Sequence, residues 1–366
     1  MVHPYRKYVA NEGLFNLAFE LKQRYMRSGR GHGGFGWRYG LIDLSSNVNP
    51  LGAPKELLDL VREAVEQGHF LHHPTELGDE LREALAQYEG VGVDVTYVFN
   101  GASEALQLLI MYIRPRRVVI PIPNYGDYAR IANLVGAGVE LIEYWGSGDL
   151  LGKVLGKVMP NSLLVLSNPN TPMGYLISRD KLLALLDELG RRGAVVIVDE
   201  SFMDFVEDGQ SLVRECVRYE NLIVVKSYTK FLAVPGLRVG AVYAKTDLED
   251  LVPTWPINSI TEYAVSRYMR HARAFRERTV AYVKEERARV LKALDSLGIQ
   301  YYDSTTHYFV IRHEPWLDQE LRKRKILIKD LSNTPPLTKG YFRISLRSRE
   351  VNDELIRALT EIKQIK

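Results

Sequence analysis

The 366-residue chain is nearly without cysteine: Cys216 stands alone, which excludes an internal disulfide framework and a cysteine-based zinc site. It also lacks an excess of either charge. With 48 Lys and Arg against 45 Asp and Glu, the formal net charge is +3, so neither nucleic acid nor an anionic membrane is indicated as the main partner. No apolar run reaches the ~18 residues of a membrane span. The opening residues, MVHPYRKYVANEG, hold no signal-peptide apolar segment, and the expected compartment is the cytoplasm. What is present is a hydrophobic fraction of 46%, enough over this length to bury a sizeable core, and one large plus one smaller domain is expected.

The richest stretch is Leu222 to Gly240, LIVVKSYTKFLAVPGLRVG. Ile223, Val224 and Val225 are β-branched and suit a buried strand. The run ends at Ser227, Lys230 follows three residues later, and Pro235-Gly236 close the segment before a second apolar run, Val239 to Tyr243, headed by Arg238. Ligands of open α/β sheets bind beyond the carboxyl ends of strands. Lys230 is therefore a candidate nucleophile, and Ser227 and Arg238 are candidate anion ligands. The plainer alternative is a solvated lysine after a strand. Ser227-Tyr-Thr-Lys230 also has the S-x-x-K form of penicillin-binding hydrolases, but their K-T-G and S-D-N companions are absent.

Ser-x-Thr-Lys followed by Pro-Gly-Leu-Arg-x-Gly resembles the Schiff-base segment of the class I/II aminotransferase superfamily, the fold type I pyridoxal-phosphate enzymes. The resemblance implies an α/β fold: a large cofactor-binding domain on a mostly parallel central sheet, and a small α+β domain. It implies pyridoxal 5'-phosphate held as an imine by Lys230, with Ser227 and Arg238 on its phosphate. It also implies a homodimer with sites at the subunit interface.

The resemblance continues along the chain. After a helical pattern from Leu14 to Met26 comes a glycine-rich segment, Gly29 to Gly36, with the literal form G-x-G-x-x-G. No apolar strand precedes it, which argues against a dinucleotide site. Its glycines suit a backbone lying close to an anion, with Arg30, His32 and Arg38 as donors, or a plain surface loop. The pairing of His32-Gly-Gly with Asp43-Leu-Ser-Ser-Asn-Val-Asn49-Pro-Leu-Gly looks most like the threonine-phosphate decarboxylases of cobalamin synthesis, a branch close to the histidinol-phosphate aminotransferases. Pro54 to Gln67 and Leu77 to Glu89 read as helices. Between them, His72-His73-Pro74 stands where relatives have a Tyr-Pro whose tyrosine reaches the partner subunit's cofactor phosphate. His73 offers a donor in its stead, though a metal site or a surface loop would show the same pair.

Asn100-Gly-Ala-Ser follows an apolar run and opens a helix, whose first amides form a ready anion site. The family match places Gly101, Ala102 and Ser103 around the phosphate. Tyr125 falls where an aromatic ring stacks on the pyridine face. Asn168-Pro-Asn170-Thr171-Pro-Met-Gly departs from the family's Asn-Pro-Asn-Asn-Pro-Thr-Gly, so either Thr171 or Asn170 is expected to donate to the pyridine 3'-oxygen. Asp199, ending the strand Ala194 to Asp199, is assigned to the pyridine nitrogen, which it keeps protonated. Phe202 replaces a tyrosine common in transaminases and favours the decarboxylase branch.

Trp255 and Asn258 precede a long helical region, Thr261 to Leu297, whose interleaved Arg, Lys and Glu read as a solvated face. Strands at Tyr308–Arg312, 326–329 and 342–346 and a last helix from Asn352 mark the small α+β domain. Arg343 is assigned to the substrate α-carboxylate, for which a planar guanidinium is suited. Lys329, Arg347 and His32 are expected near a substrate phosphate, with Asn49, Trp255 and Asn258 also on the substrate side. No metal is expected.

The expected division is 1–45 as an N-terminal arm and part of the small domain, 46–255 as the large domain, and 256–366 as the small one. The expected activity is that of a threonine-phosphate decarboxylase-like lyase on a small, phosphate-bearing L-amino acid. The alternative is a transaminase for histidinol phosphate, aspartate or an aromatic amino acid. A non-enzymatic cofactor-binding regulator is the remote third reading, and the chain shows no basic helix-turn-helix extension for it.

Overall fold

The structure is a computed structural model that describes residues 33–365. A two-residue strand, β1 (Ile42–Asp43), comes first. The apolar runs that follow form β2 (Thr96–Phe99), β3 (Arg117–Ile122), β4 (Gly138–Glu143), β5 (Ser162–Ser167), β6 (Val195–Asp199), β7 (Leu222–Ser227) and β8 (Gly240–Ala244). They make one sheet in the order β2-β8-β7-β6-β5-β3-β4, parallel except for β8, which runs against both neighbours. Every residue of β5 and β7 is buried. That explains why these segments read as continuous apolar runs rather than alternating ones, as strands covered on both faces do.

Helices cover both faces. In the helix Arg179–Arg191, the buried residues are Leu182, Leu185, Leu186 and Leu189, one stripe at helical spacing. Each such leucine contributes roughly 1.5–3 kcal/mol on full burial. Two cores result, one on each face of the sheet. A third core packs the C-terminal elements and takes in Leu44 from near the start. Its strands are β9 (Gln300–Tyr301), β10 (Tyr308–Arg312), β11 (Ile326–Leu327), β12 (Lys329–Asp330) and β13 (Tyr341–Ser345). β12, β13, β10 and β9 form an antiparallel sheet, while β11 pairs in parallel with β1.

Three expectations are refined. The helical region after Thr261 is two helices, Ser259–Met269 and Arg273–Leu297; Asn258 caps the first by accepting the Thr261 N–H at 2.9 Å. Residues 256–275, expected with the smaller unit, include Ile257, Val265, Met269 and Phe275, which pack into a core of the large sheet. The strand expected at 326–329 divides at the buried Ile328, where the chain passes from β1 to β13 as its partner. The helix expected at Leu14 to Met26 lies outside the described residues. Among the described residues, no helix is long and apolar enough to cross a membrane.

Candidate active site

β5, β6 and β7 stop side by side. Ser167 pairs with Asp199 and Asp199 with Val225, while Ser227 pairs with Gly240 at the head of β8. Beyond β7 the chain turns directly into a one-turn helix, Tyr228–Phe231, which carries Lys230 over the strand ends. The backbone carbonyl of Lys230 accepts the Asn49 N–H at 2.9 Å, fixing this turn to the segment after β1. A cleft of about 410 Å³ opens there, lined by Ala102, Ser103, Tyr125, Thr171, Asp199, Ser227, Lys230, Arg238, Lys329 and Arg343 among others. Ten residues singled out in sequence therefore meet in one cavity, drawn from segments more than 200 positions apart.

The head of the helix Ala102–Ile113 shows why glycine is needed on two sides. Gly101 has φ +88°, and a Cβ there would lie 2.4 Å from Nη2 of Arg238. A Cβ on Gly240 would lie 2.4 Å from the Ala102 nitrogen. The first-turn amides, the Ser103 and Ser227 hydroxyls and the Arg238 guanidinium thus close around one small space, a disposition that favours an anion.

Asp199 is buried at the cleft wall. It accepts hydrogen bonds from the Tyr128 hydroxyl at 2.6 Å and from the Ser201 N–H at 2.9 Å. Burial raises its pKa, and these donors pull the other way. Tyr125 bonds to Asp127 at 2.8 Å and stands edge-on to Tyr128, with ring centroids 5.4 Å apart.

The Lys230 amine is enclosed although its side chain is reachable from the cleft. Burial first, and then the positive charges of Arg343, Arg238 and Arg347, lower it to about 8. Arg343 lines the cleft partly buried, and desolvation there lowers it to about 10. It donates from Nη2 to the Ser45 carbonyl at 2.8 Å and from Nη1 to the Thr171 hydroxyl at 3.4 Å. Lys329 pairs in register with Arg343 across β12 and β13. The cleft thus holds four cationic side chains against Asp199 and Asp127, so its field selects anionic ligands.

Four assigned residues lie outside the cleft lining. Asn170 is buried outside the cleft lining, where its amide donates to the Pro123 carbonyl at 3.0 Å and its oxygen accepts the Met173 N–H at 3.0 Å. Asn49 is likewise engaged: its amide donates to the Phe231 carbonyl at 2.8 Å and the Thr279 hydroxyl at 2.9 Å, which makes it a clamp under the Lys230 helix. Arg347 donates to the carbonyls of Ser46 and Leu346 at 2.6 and 3.0 Å, and it supports the cleft from behind rather than lining it. Trp255, half exposed with φ +58°, stacks on His73 at 3.9 Å and is away from the cleft lining. His32 and Arg30 lie outside the described residues, but Gly33 lines the cleft, and a Cβ there would meet the Ser45 carbonyl at 2.3 Å.

Sequence reasoning missed Ser45, Ser46, Asn47, Asn333 and Thr334 in the lining, as well as Tyr128 beneath Asp199. Ser45, Ser46 and Asn47 had a signal, since they fall inside the motif that had singled out Asn49. Tyr128 stands out only as the neighbour of Tyr125 in Pro-Asn-Tyr-Gly-Asp-Tyr, with nothing there to point to Asp199.

The family model described as aminotransferase class I and II matches residues 39–359. The histidinol-phosphate aminotransferase of Thermoanaerobacter sp. (strain X514) is 30% identical over 87% of this chain and 92% of that protein. The threonine-phosphate decarboxylase of Salmonella typhimurium is 28% identical over 88% of this chain and 91% of that protein. Among solved structures, the histidinol-phosphate aminotransferase of Clostridium acetobutylicum superposes with a TM-score of 0.83 at 25% identity, covering 89% of this chain and all of that one.

Proposed function

Because the chain belongs to the class I and II aminotransferases, a family of pyridoxal-phosphate enzymes, we propose that the cleft binds that cofactor and acts on a small L-amino acid bearing a second anionic group. We read the activity as a threonine-phosphate decarboxylase-like lyase.

The residues present fit the cofactor. The space between Gly101, Ser103, Ser227 and Arg238, which a Cβ at Gly101 would fill, suits its phosphate. Asp199 is the carboxylate for the ring nitrogen, held in place by Tyr128 and Ser201. Tyr125 offers a ring at the cleft wall, and Lys230 the amine that holds the aldehyde. Bound there, the cofactor supplies an electron sink for a bond at the substrate's α-carbon.

The protein's own part is orientation and proton handling. Arg343 takes the α-carboxylate, and Lys329, with Asn333 and Thr334 near it in the lining, takes the second anion. Two fixed points remove rotation about the α-carbon, and that rotation decides whether the carboxylate or the α-hydrogen leaves. In decarboxylation the carbon–carbon bond breaks, carbon dioxide departs, and Lys230 returns a proton to the α-carbon. In transamination Lys230 removes the α-proton instead. Phe202, buried in the wall, carries no hydroxyl to offer a ring oxygen.

The observation that carries the reading is the register pair Lys329–Arg343, which puts two cations on one wall of the cleft. Transamination of histidinol phosphate is the second reading, favoured by the 30% identity to that aminotransferase. Incubation with L-threonine O-3-phosphate, and separately with histidinol phosphate plus 2-oxoglutarate, distinguishes them. Carbon dioxide from the first supports the lyase, whereas glutamate from the second without carbon dioxide from the first rejects it.

We read the protein as a cytoplasmic homodimer and take 46–275 as the large unit, with the segment around Leu44 and the residues after 275 building the smaller one. The third core supports the latter by joining Leu44 to residues from Val290 onward. The exposed His73–Trp255 stack, beside exposed Phe70 and Leu71, is the surface we assign to the second subunit.

A further inference from the structure

Arg343 is a partly buried guanidinium with no carboxylate at ion-pair distance among the described residues, and its buried Nε has no hydrogen-bond partner. Such a cation is costly to hold in one orientation unless neutral neighbours fix it. Three do. The Ser45 carbonyl accepts from Nη2, the Thr171 hydroxyl accepts from Nη1, and the Tyr308 ring lies beneath, with its centroid 5.7 Å from Cζ.

Tyr308 is itself immobilised. It is fully buried in β10, packs edge-on against Phe202 with centroids 4.9 Å apart, and donates its hydroxyl proton to the Asn170 carbonyl at 2.8 Å. Thr171 accepts from Arg343, and Tyr308 gives its hydroxyl proton to the backbone of Asn170, the residue next to Thr171, so both groups that hold the guanidinium are tied to one segment.

We propose that Tyr308 and Thr171 are positioning residues that preset Arg343 for the substrate carboxylate, and that the Thr171 hydroxyl is engaged in this rather than with the cofactor ring. The inference rests on the reading that the substrate is an α-amino acid, and it holds whether that amino acid is decarboxylated or transaminated. It also accounts for threonine at 171: one hydroxyl oxygen suffices to accept from a guanidinium.

The test uses the holoenzyme with Tyr308→Phe, which keeps the ring and removes the link, and with Thr171→Val and Thr171→Ser. Three quantities are read: KM and kcat for the amino-acid substrate, the affinity for its carboxylate-free amine, and the pH dependence of the bound cofactor's visible absorption. Loss of one neutral hydrogen bond raises KM about three- to tenfold in Tyr308→Phe and Thr171→Val. In both, kcat changes far less, the amine's affinity and the absorption curve stay at wild-type values, and Thr171→Ser restores KM. A Thr171→Val enzyme whose absorption curve moves while KM stays put overturns the proposal, since Thr171 then acts on the cofactor. Equal losses of affinity for the amine and the amino acid overturn it too, because the two residues would then serve packing. Failure of the underlying reading shows in the wild type's own turnover, and failure of the positioning role only in the variants.

Discussion

An ordinary lysine is almost wholly protonated at neutral pH, and a lysine that must form an imine needs a free base. Burial and three neighbouring cations bring Lys230 from 10.5 to about 8. At pH 7 that leaves about one amine in ten unprotonated, against about one in three thousand for an unperturbed lysine. The sign follows from which form is disfavoured: the folded apoprotein binds fewer protons than the unfolded chain between about pH 8 and pH 10.5. The shift therefore costs stability below pH 8, and the cost is relieved as pH rises toward 10.5. Competitive trace acetylation of the apoprotein, read lysine by lysine, measures this directly. Lys230 reactivity should be half-maximal near pH 8. Lys226 serves as the internal contrast: Asp204 and Glu89 outweigh its burial and raise its pKa. Arg343→Gln, which removes the nearest-acting cation, should move the Lys230 profile to higher pH. A Lys230 profile with its midpoint above pH 10 would refute the electrostatic argument.

Three further outcomes follow from the geometry. Asp199→Asn keeps the Tyr128 and Ser201 neighbours but removes the charge, so turnover should fall about 10- to 150-fold, the worth of one charge-assisted hydrogen bond, with cofactor retained; turnover at the wild-type rate would show that the carboxylate does not act on the ring. Lys226→Met strands Glu89 and Asp204 in the interior, and denaturant titration should show a loss of roughly 3–5 kcal/mol, whereas an unchanged midpoint would contradict the buried pairing. Asn49→Ala leaves the Phe231 carbonyl and Thr279 hydroxyl without their donor, at a cost of about 1–3 kcal/mol; a rise in KM with unchanged stability would return Asn49 to the substrate side.

The strand ends were legible because their physics is local. Val195 to Asp199 and Leu222 to Ser227 are β-branched runs that stop at a polar residue, and the doubly covered sheet requires that pattern. Lys230, Ser227 and Arg238 were legible for the same reason, lying within a dozen residues of one strand. The helix Arg179–Arg191 carried a visible leucine stripe and could have been read. What stayed hidden was where each side-chain amide goes. Asn49 bonds partners 182 and 230 positions away, and Asn170 one 47 positions away, and no spacing in the sequence announces such contacts. Motif position alone placed both on ligands, while the folded chain uses both to hold backbone. Trp255 misled for a related reason: a left-handed backbone at that residue turns its ring onto His73.

Lys230 is the residue proposed to hold the cofactor at the ends of β6 and β7. Borohydride reduction of the protein loaded with pyridoxal phosphate, followed by peptide mapping, tests that most directly. The label should appear on Lys230, and Lys230→Ala should lose both the label and the visible absorption. Label at undiminished yield in Lys230→Ala, or mapped to another lysine in the wild type, would contradict it.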